Sequence, residues 1–272
     1  MQKNKKSLLW RVRKEGLPGD SYLFGTMHVR DEKAFVFEDA ANEKIIECDA
    51  LAIEVNLEEA DLNLTEFSLD LPEGTTLESL MSPKKYQKVQ KMLRKLSGME
   101  LTQFNNSLPI IVSNFMTDLI LSKDRMVSLD HSLWKFAKEH GKVTLGIETL
   151  QEQMEIMFKI PLEYQVKNLI EVSKDFKKYR KQVLGLAKLY GEGDVQKIFK
   201  KAKKSSGKLR KLMLYDRNII MANRISNMVE EQTMVCAVGA AHLGGKKGLI
   251  RLLKLQGFQL KPVLPNSFDE EE

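Results

Sequence analysis

Two of the four histidines stand in the same local setting. His28 follows SYLF in Gly25-Thr-Met-His, and His242 follows MVCAV in Gly239-Ala-Ala-His. Each imidazole is thus delivered three residues past a glycine at the end of a strand-like apolar run. Glycine permits a sharp exit and close approach of backbone to a ligand, and loops placed by a rigid sheet commonly present reactive side chains. Two carboxylates join them. Glu54 in LAIEVN and Glu148 in LGIET lie inside apolar segments, where an unpaired charge is costly. A buried carboxylate calls for a metal, a cation or a raised pKa. Two histidines and one or two carboxylates make a nitrogen-and-oxygen ligand set suited to Zn, Mn, Co or Fe, with room for water. The chemistry this would support is hydrolysis by an acidified water at a polarised carbonyl. The structural alternative is that Glu54 or Glu148 meets water at a strand end or pairs with Arg217 or Arg224.

Arg217 and Arg224 fall at i and i+7 in LYDRNIIMANRI, on one face of a helix. They suit clamping a substrate carboxylate or steadying an oxyanion, and equally a solvent-facing role. Asp130 and His131 open another helix, where Asp130 suits an N-cap. His140 in KEHGK suits a helix C-terminus. The chain has no HExxH, no G-x-S-x-G elbow, no Walker A and no GxGxxG. GAAHLGGKKG could cradle a phosphate, but it lacks the spacing and terminal Ser or Thr of a P-loop.

Positioning these groups requires strands at both ends of the chain. SLLWRV and SYLFG read as a hairpin about the turn KEGLPGD. A helix is expected over 34–47, then an inner strand over 50–56 and a loop over 57–74 ending at Pro72-Glu73-Gly74. A helical block follows over 75–123, and a helix over 130–140 with Gly141 as its C′ residue. KVTLGIET at 142–149 reads as a core strand. Long helices over 162–231 are broken at Gly191-Glu192-Gly193 and Ser205-Ser206-Gly207. The end reads strand, glycine-rich loop, helix, strand, placing a loop at the carboxyl end of a strand. The fold class is α/β, a single domain over 1–272. The regions 75–140 and 162–231 form a helical cap or lobe, and 268–272 a solvated acidic tail.

At 272 residues with 43% apolar and 29% charged side chains, the chain has ordinary globular composition and can bury a core without staples. The formal charge of +6 is spread through stretches that also hold Glu, Asp and Gln, so nucleic acid is not the expected partner. Cys48 and Cys236 read as core thiols and leave the redox compartment open. No apolar run is long enough to cross a bilayer, and MQKNKKSLLWRVRK lacks the apolar stretch of a signal peptide. The expected protein is soluble, either cytoplasmic or a secreted form without its leader. A symmetric dimer is the default expectation.

SYLFGTMHV, LAIEVN, SLDHSLWKFAKEHGKVTLGIET, LYDRNIIMANRI and VCAVGAAHLGG, in this order over nearly the whole chain, resemble the TraB/GumN family. That group includes the Tiki proteins and is distantly similar to erythromycin esterases and ChaN-like proteins. The resemblance implies a central mixed β-sheet built from two related halves, flanked and capped by helices. It implies an active centre formed by both GxxH histidines and the acidic strand positions. In Tiki-like members the implied activity is that of a metal-dependent peptidase favouring manganese or cobalt. In the esterase relatives a histidine and glutamate pair is used with less clear metal dependence.

These readings give a divalent-metal hydrolase acting on a peptide or protein. His28, Glu54 and His242 would hold the metal, and Glu148 would serve as a fourth ligand or supporting acid. Either carboxylate could be the general base, and Arg217 and Arg224 would position substrate. One alternative is a metal-independent esterase-like hydrolase with His28 as base oriented by Glu54. Another is a binding protein that grips a metal, haem or peptide without turnover.

Overall fold

The computed structural model describes residues 6–58 and 69–264. Contacts divide the chain into two compact units, Met1–Leu62, Lys123–Glu152 and Leu186–Glu272 in the first, and Asn63–Ser122 and Gln153–Gly185 in the second. The helical regions marked in the sequence do not coincide with the second unit, because residues 123–140 and 186–231 belong with the sheet.

The first unit is α/β. Its six strands are β1 (Leu9–Arg13), β2 (Ser21–Thr26), β3 (Ala50–Val55), β4 (Val143–Glu148), β5 (Met234–Gly239) and β6 (Gln259–Val263). They form one mixed sheet in the order β4-β3-β5-β2-β1-β6. β4, β3, β5 and β2 run parallel, and β1 pairs antiparallel with β2 and β6. The N-terminal hairpin and the closing strand-loop-helix-strand are therefore as expected. β4 is corrected from a core strand to the edge of the sheet. Its apolar residues fit a core strand, but among the described residues only β3 pairs with it, and Val143 is exposed.

Strands β2, β3 and β5 read as near-continuous apolar runs because each is covered on both faces. The helices of this unit are α1 (Glu38–Glu47), α4 (Leu129–Glu139), α8 (Val195–Ser206), α9 (Asp216–Glu231) and α10 (Leu249–Leu255), with the last turns of α7 (Phe176–Gly191). α1 packs on α4, which also covers β3 and β4, while α9 packs on α10 and β4. Gly141, at φ 66°, ends α4 in the left-handed conformation that glycine adopts without strain. The N-cap of α4 is Ser128, so Asp130 lies inside the first turn and is not the cap. Both residue types suit a cap, and the structure uses the earlier one. His140 is the C-cap. Cys48 and Cys236 are free and buried, and burial pushes the Cys48 thiol up to about 12.

The second unit is helical. α2 (Pro83–Ser97) and α3 (Pro109–Asp118) both start with proline in the first turn, where its missing N–H costs nothing. They pack on α6 (Leu162–Lys174) around Leu93, Val112, Met116 and Leu169. α5 (Leu150–Lys159) follows directly on β4 in the chain. Part of the loop expected over 57–74, and the acidic tail, lie outside the described residues.

Candidate active site

The parallel strands β2, β3, β4 and β5 bring the singled-out residues to one end of the sheet, the carboxyl end. Such strand ends are where open α/β sheets place ligand sites. Thr26 at the end of β2 is registered with Gly239 at the end of β5, so the two GxxH turns leave neighbouring strands side by side. They are packed on each other. A Cβ on Gly25 would stand 2.9 Å from Leu243 Cδ2 and 3.1 Å from Ala240 Cα, so only glycine lets the first turn lie against the second. Gly239 has a different constraint. Its N–H donates to Glu54 Oε1 at 2.6 Å, and a Cβ there would meet the same oxygen at 3.1 Å.

Glu54 and Glu148 share a single cation. Arg217, in the first turn of α9, donates from Nε to Glu148 Oε1 at 2.9 Å and from Nη2 to Glu148 Oε2 at 2.5 Å. The same Nη2 reaches Glu54 Oε2 at 2.9 Å. Burial opposes charge on the guanidinium, but the two carboxylates outweigh it and hold Arg217 protonated. Burial likewise would raise the Glu54 carboxyl. The charge of a protonated His242, that of Arg217 and the Gly239 N–H together keep it below the ordinary carboxylate range. The cation that buried Glu148 and half-buried Glu54 require is thus supplied by the chain. Arg224 does a separate job: it forks onto Glu152 at 2.7 Å twice and caps the carbonyl of Ile147 at 2.9 Å. It braces the end of β4 and makes no contact of this kind with Glu54 or Glu148.

His242 is buried, and burial pushes its imidazole down to about 4, so it is neutral at pH 7. Its proton has a fixed address. Asn218 is fully buried, and its Nδ2 donates to the carbonyl of Lys247 at 2.7 Å. That turns Asn218 Oδ1 toward His242 Nδ1, 2.6 Å away, and an amide oxygen only accepts. Nδ1 therefore carries the proton and Nε2 keeps its lone pair. Nε2 faces Glu54 Oε1 at 4.0 Å. Fixing one ring nitrogen so as to aim the other is how metal-binding and base histidines are set. Asn218 was part of the motif in the sequence, but its role was not legible there. The one signal is a polar pair, Arg217-Asn218, at the head of a helix that continues as Ile-Ile-Met.

His28 is presented differently. Its side chain is 74% exposed, with Nδ1 3.4 Å from Asp130 Oδ2 and 3.5 Å from Ser128 Oγ. Asp130 is buried and accepts from Thr26 Oγ1 at 2.7 Å, which ties the end of β2 to the first turn of α4. The carboxylate beside His28 is therefore that of Asp130, where the esterase-like alternative had Glu54. Tyr190, fully buried near the end of α7, donates to the Gly25 carbonyl at 2.7 Å and steadies the same strand exit. Nothing in the sequence marks Tyr190, because its partner is a main-chain atom 165 residues away. His131 is exposed on α4, and the His140 ring packs on Phe136 at 4.1 Å while its Nδ1 donates to the Phe136 carbonyl at 2.8 Å, so neither belongs to this site.

Among the described residues no group of three or more His, Cys, Asp and Glu side chains is disposed to hold a metal ion. What the geometry does offer is two donors, His242 Nε2 and Glu54 Oε1. They stand 4.0 Å apart, whereas two ligands at about 2 Å from a tetrahedral ion stand about 3.3 Å apart, so the side chains would close by several tenths of an ångström to share one.

The sequence model of the TraB/PrgY/gumN family matches residues 8–262, which takes in the whole sheet but for the last residue of β6. The chain belongs to this family. Its match takes in both GxxH turns, both strand glutamates and the Arg217-Asn218 pair. No curated protein and no solved structure matches the chain. Membership gives the family and leaves the activity to be argued from the site.

Proposed function

We propose that this TraB/PrgY/gumN-family chain is a divalent-metal-dependent hydrolase, acting on peptide bonds as the Tiki-like resemblance implies. The observation that carries the reading is the aimed lone pair of neutral His242 Nε2 facing Glu54 Oε1 at 4.0 Å. His242 and Glu54 would hold the ion, and the chemistry it supplies there is a more acidic water and a polarised carbonyl. Manganese or cobalt is the choice the resemblance favours; the donor types also suit zinc or iron.

The chain's own residues do the remaining work. Arg217 keeps Glu54 ionised and fixes one of its oxygens, so that the other is turned to His242. Asn218 keeps the proton of His242 on Nδ1. Glu148 balances Arg217 and holds the guanidinium between the two strands. His28, at the neighbouring strand exit and open to solvent, is placed to give or take a proton at Nε2, with Asp130 favouring the imidazolium that forms.

Elemental mass spectrometry on protein loaded with Mn, Co, Zn or Fe tests this, together with a peptide-library assay. About one ion per chain is expected, lost in folded His242→Ala and Glu54→Gln, with cleavage that tracks metal content. A folded wild-type protein that retains no metal under any loading would sink the reading. One observation favours a second reading: the His28–Asp130 approach resembles a general base with its orienting carboxylate. In that case cleavage of ester or peptide probes survives thorough chelation and is lost in His28→Ala.

A further inference from the structure

The stretch from Val195 to Tyr215 holds no acidic residue. On α8, Lys197, Lys200, Lys201, Lys203 and Lys204 are all exposed, and at about 100° per residue they cover roughly 160° of the helix. Lys208, Arg210 and Lys211 continue the exposed run beyond its end. Among the described residues Lys197 pairs with Asp194 at 3.2 Å and Lys211 with Asp216 at 2.7 Å, and the other six cations form no ion pair. The opposite face of α8 is already committed. Val195, Ile198 and Phe199 are buried, the helix packs on the Ala240–His242 turn, and Gln196 Oε1 accepts from Gly245 N at 3.2 Å. Lys246 and Lys247, exposed in the loop that follows His242, add two more charges beside it.

We infer that this face docks the protein on an anionic phospholipid surface, reversibly and without insertion. The character of the patch selects that partner. Its cations are almost all lysine, which protein interfaces deplete and which lacks the fork that reads phosphate or carboxylate geometry. Phe199 is buried, α8 carries no other aromatic ring, and the Tyr215 ring beyond its end is covered by Lys247 Nζ at 4.8 Å, so a nucleic-acid strand would find charge and little to stack on. The apolar side of α8 is occupied by the core, so neither insertion into acyl chains nor a groove that grips an amphipathic helix has a face to use. A dense field of hydrated point charges is the kind of surface that acidic headgroups attract. Because α8 lies directly on the His242 turn, docking would bring the candidate site to the lipid surface, although binding itself does not depend on the proposed hydrolase activity.

Co-sedimentation of the full chain with phosphatidylcholine vesicles, with and without phosphatidylglycerol, tests this over a salt series. Binding is expected only to the anionic vesicles and should weaken steeply with salt. The triple variant Lys200→Gln, Lys201→Gln, Lys204→Gln should lower the partition coefficient by about a hundredfold. Lys84→Gln, Lys85→Gln, Lys88→Gln removes the same charge from exposed positions on α2 and should bind nearly as wild type. Equal losses in the two triple variants would overturn the inference, since net charge alone would then explain binding. So would no vesicle binding at low salt, or preference for duplex DNA or poly-glutamate over the anionic vesicles. All variants replace exposed side chains, and circular dichroism verifies their folding.

Discussion

Arg217 meets Glu148 in a two-point fork, one carboxylate oxygen for Nε and the other for Nη2. Since Nη2 also reaches Glu54, one guanidinium bridges two strand-end acids. Removing it leaves both without their shared cation, and breaking a buried pair of this kind costs about 3–5 kcal/mol. Arg217→Met should therefore lose that much in urea unfolding, and adding Glu148→Gln should recover part of the loss. A single variant within 1 kcal/mol of wild type would show that solvent, not Arg217, compensates the acids.

The sign of the pH dependence follows from His242. Unfolded, it titrates near 6.5, and in the fold near 4 because burial disfavours its charge. Between those values the unfolded state binds more protons, so stability falls as pH drops from about 6.5 to about 4 and reaches a loss of roughly 2 kcal/mol by pH 5. Below 4.5 a second loss begins. Glu152, held down to about 2 by its bonds from Arg224, is charged in the fold where the unfolded chain takes up a proton. Urea midpoints of the metal-free protein from pH 7 to pH 4.5 should show the first slope, and His242→Gln should flatten it. An unchanged slope in that variant assigns the effect elsewhere.

His28 is mostly exposed, so His28→Ala should leave the unfolding free energy within about 0.5 kcal/mol of wild type. Cleavage, if His28 transfers a proton, should fall about 10²- to 10⁴-fold. Asp130→Asn should keep part of the activity, with a smaller loss than His28→Ala. Full activity in His28→Ala would remove it from the mechanism.

The two GxxH glycines should separate under alanine substitution. Gly25→Ala drives a methyl into Leu243 and the Ala240 backbone and should destabilise by about 1–3 kcal/mol. At Gly239 the methyl meets one carboxylate oxygen of Glu54, so metal affinity should fall more than stability does. Thermal unfolding and metal titration of both variants measure the two effects; the reverse ranking would mean that Glu54 is free to move aside.

Local pattern carried much of this fold. The hairpin, the strand before each GxxH turn and the Gly141 helix stop are set by neighbours in sequence, and the chain reads them plainly. The position of β4 at the edge was not legible, because strand order is decided by partners far along the chain. The need of Glu54 and Glu148 for compensation was legible from their apolar settings, and pairing with Arg217 or Arg224 was one of the open alternatives. Which arginine takes which acid depends on the register of α9 over the strand ends. Asp130 shows the same limit: its residue type suits a cap, and its actual role rests on Thr26, 104 residues away.

The place of β5 in the sheet has a consequence for synthesis. It is the fifth strand along the chain, yet it lies between β3 and β2 and pairs with both. Until the ribosome has released it, β2 and β3 lack their common neighbour and present open edges, a hazard for aggregation. His242 arrives only after that strand. A chain truncated before β5 therefore lacks both His242 and the Gly239 N–H that Glu54 accepts, so the candidate site is assembled only when that strand pairs.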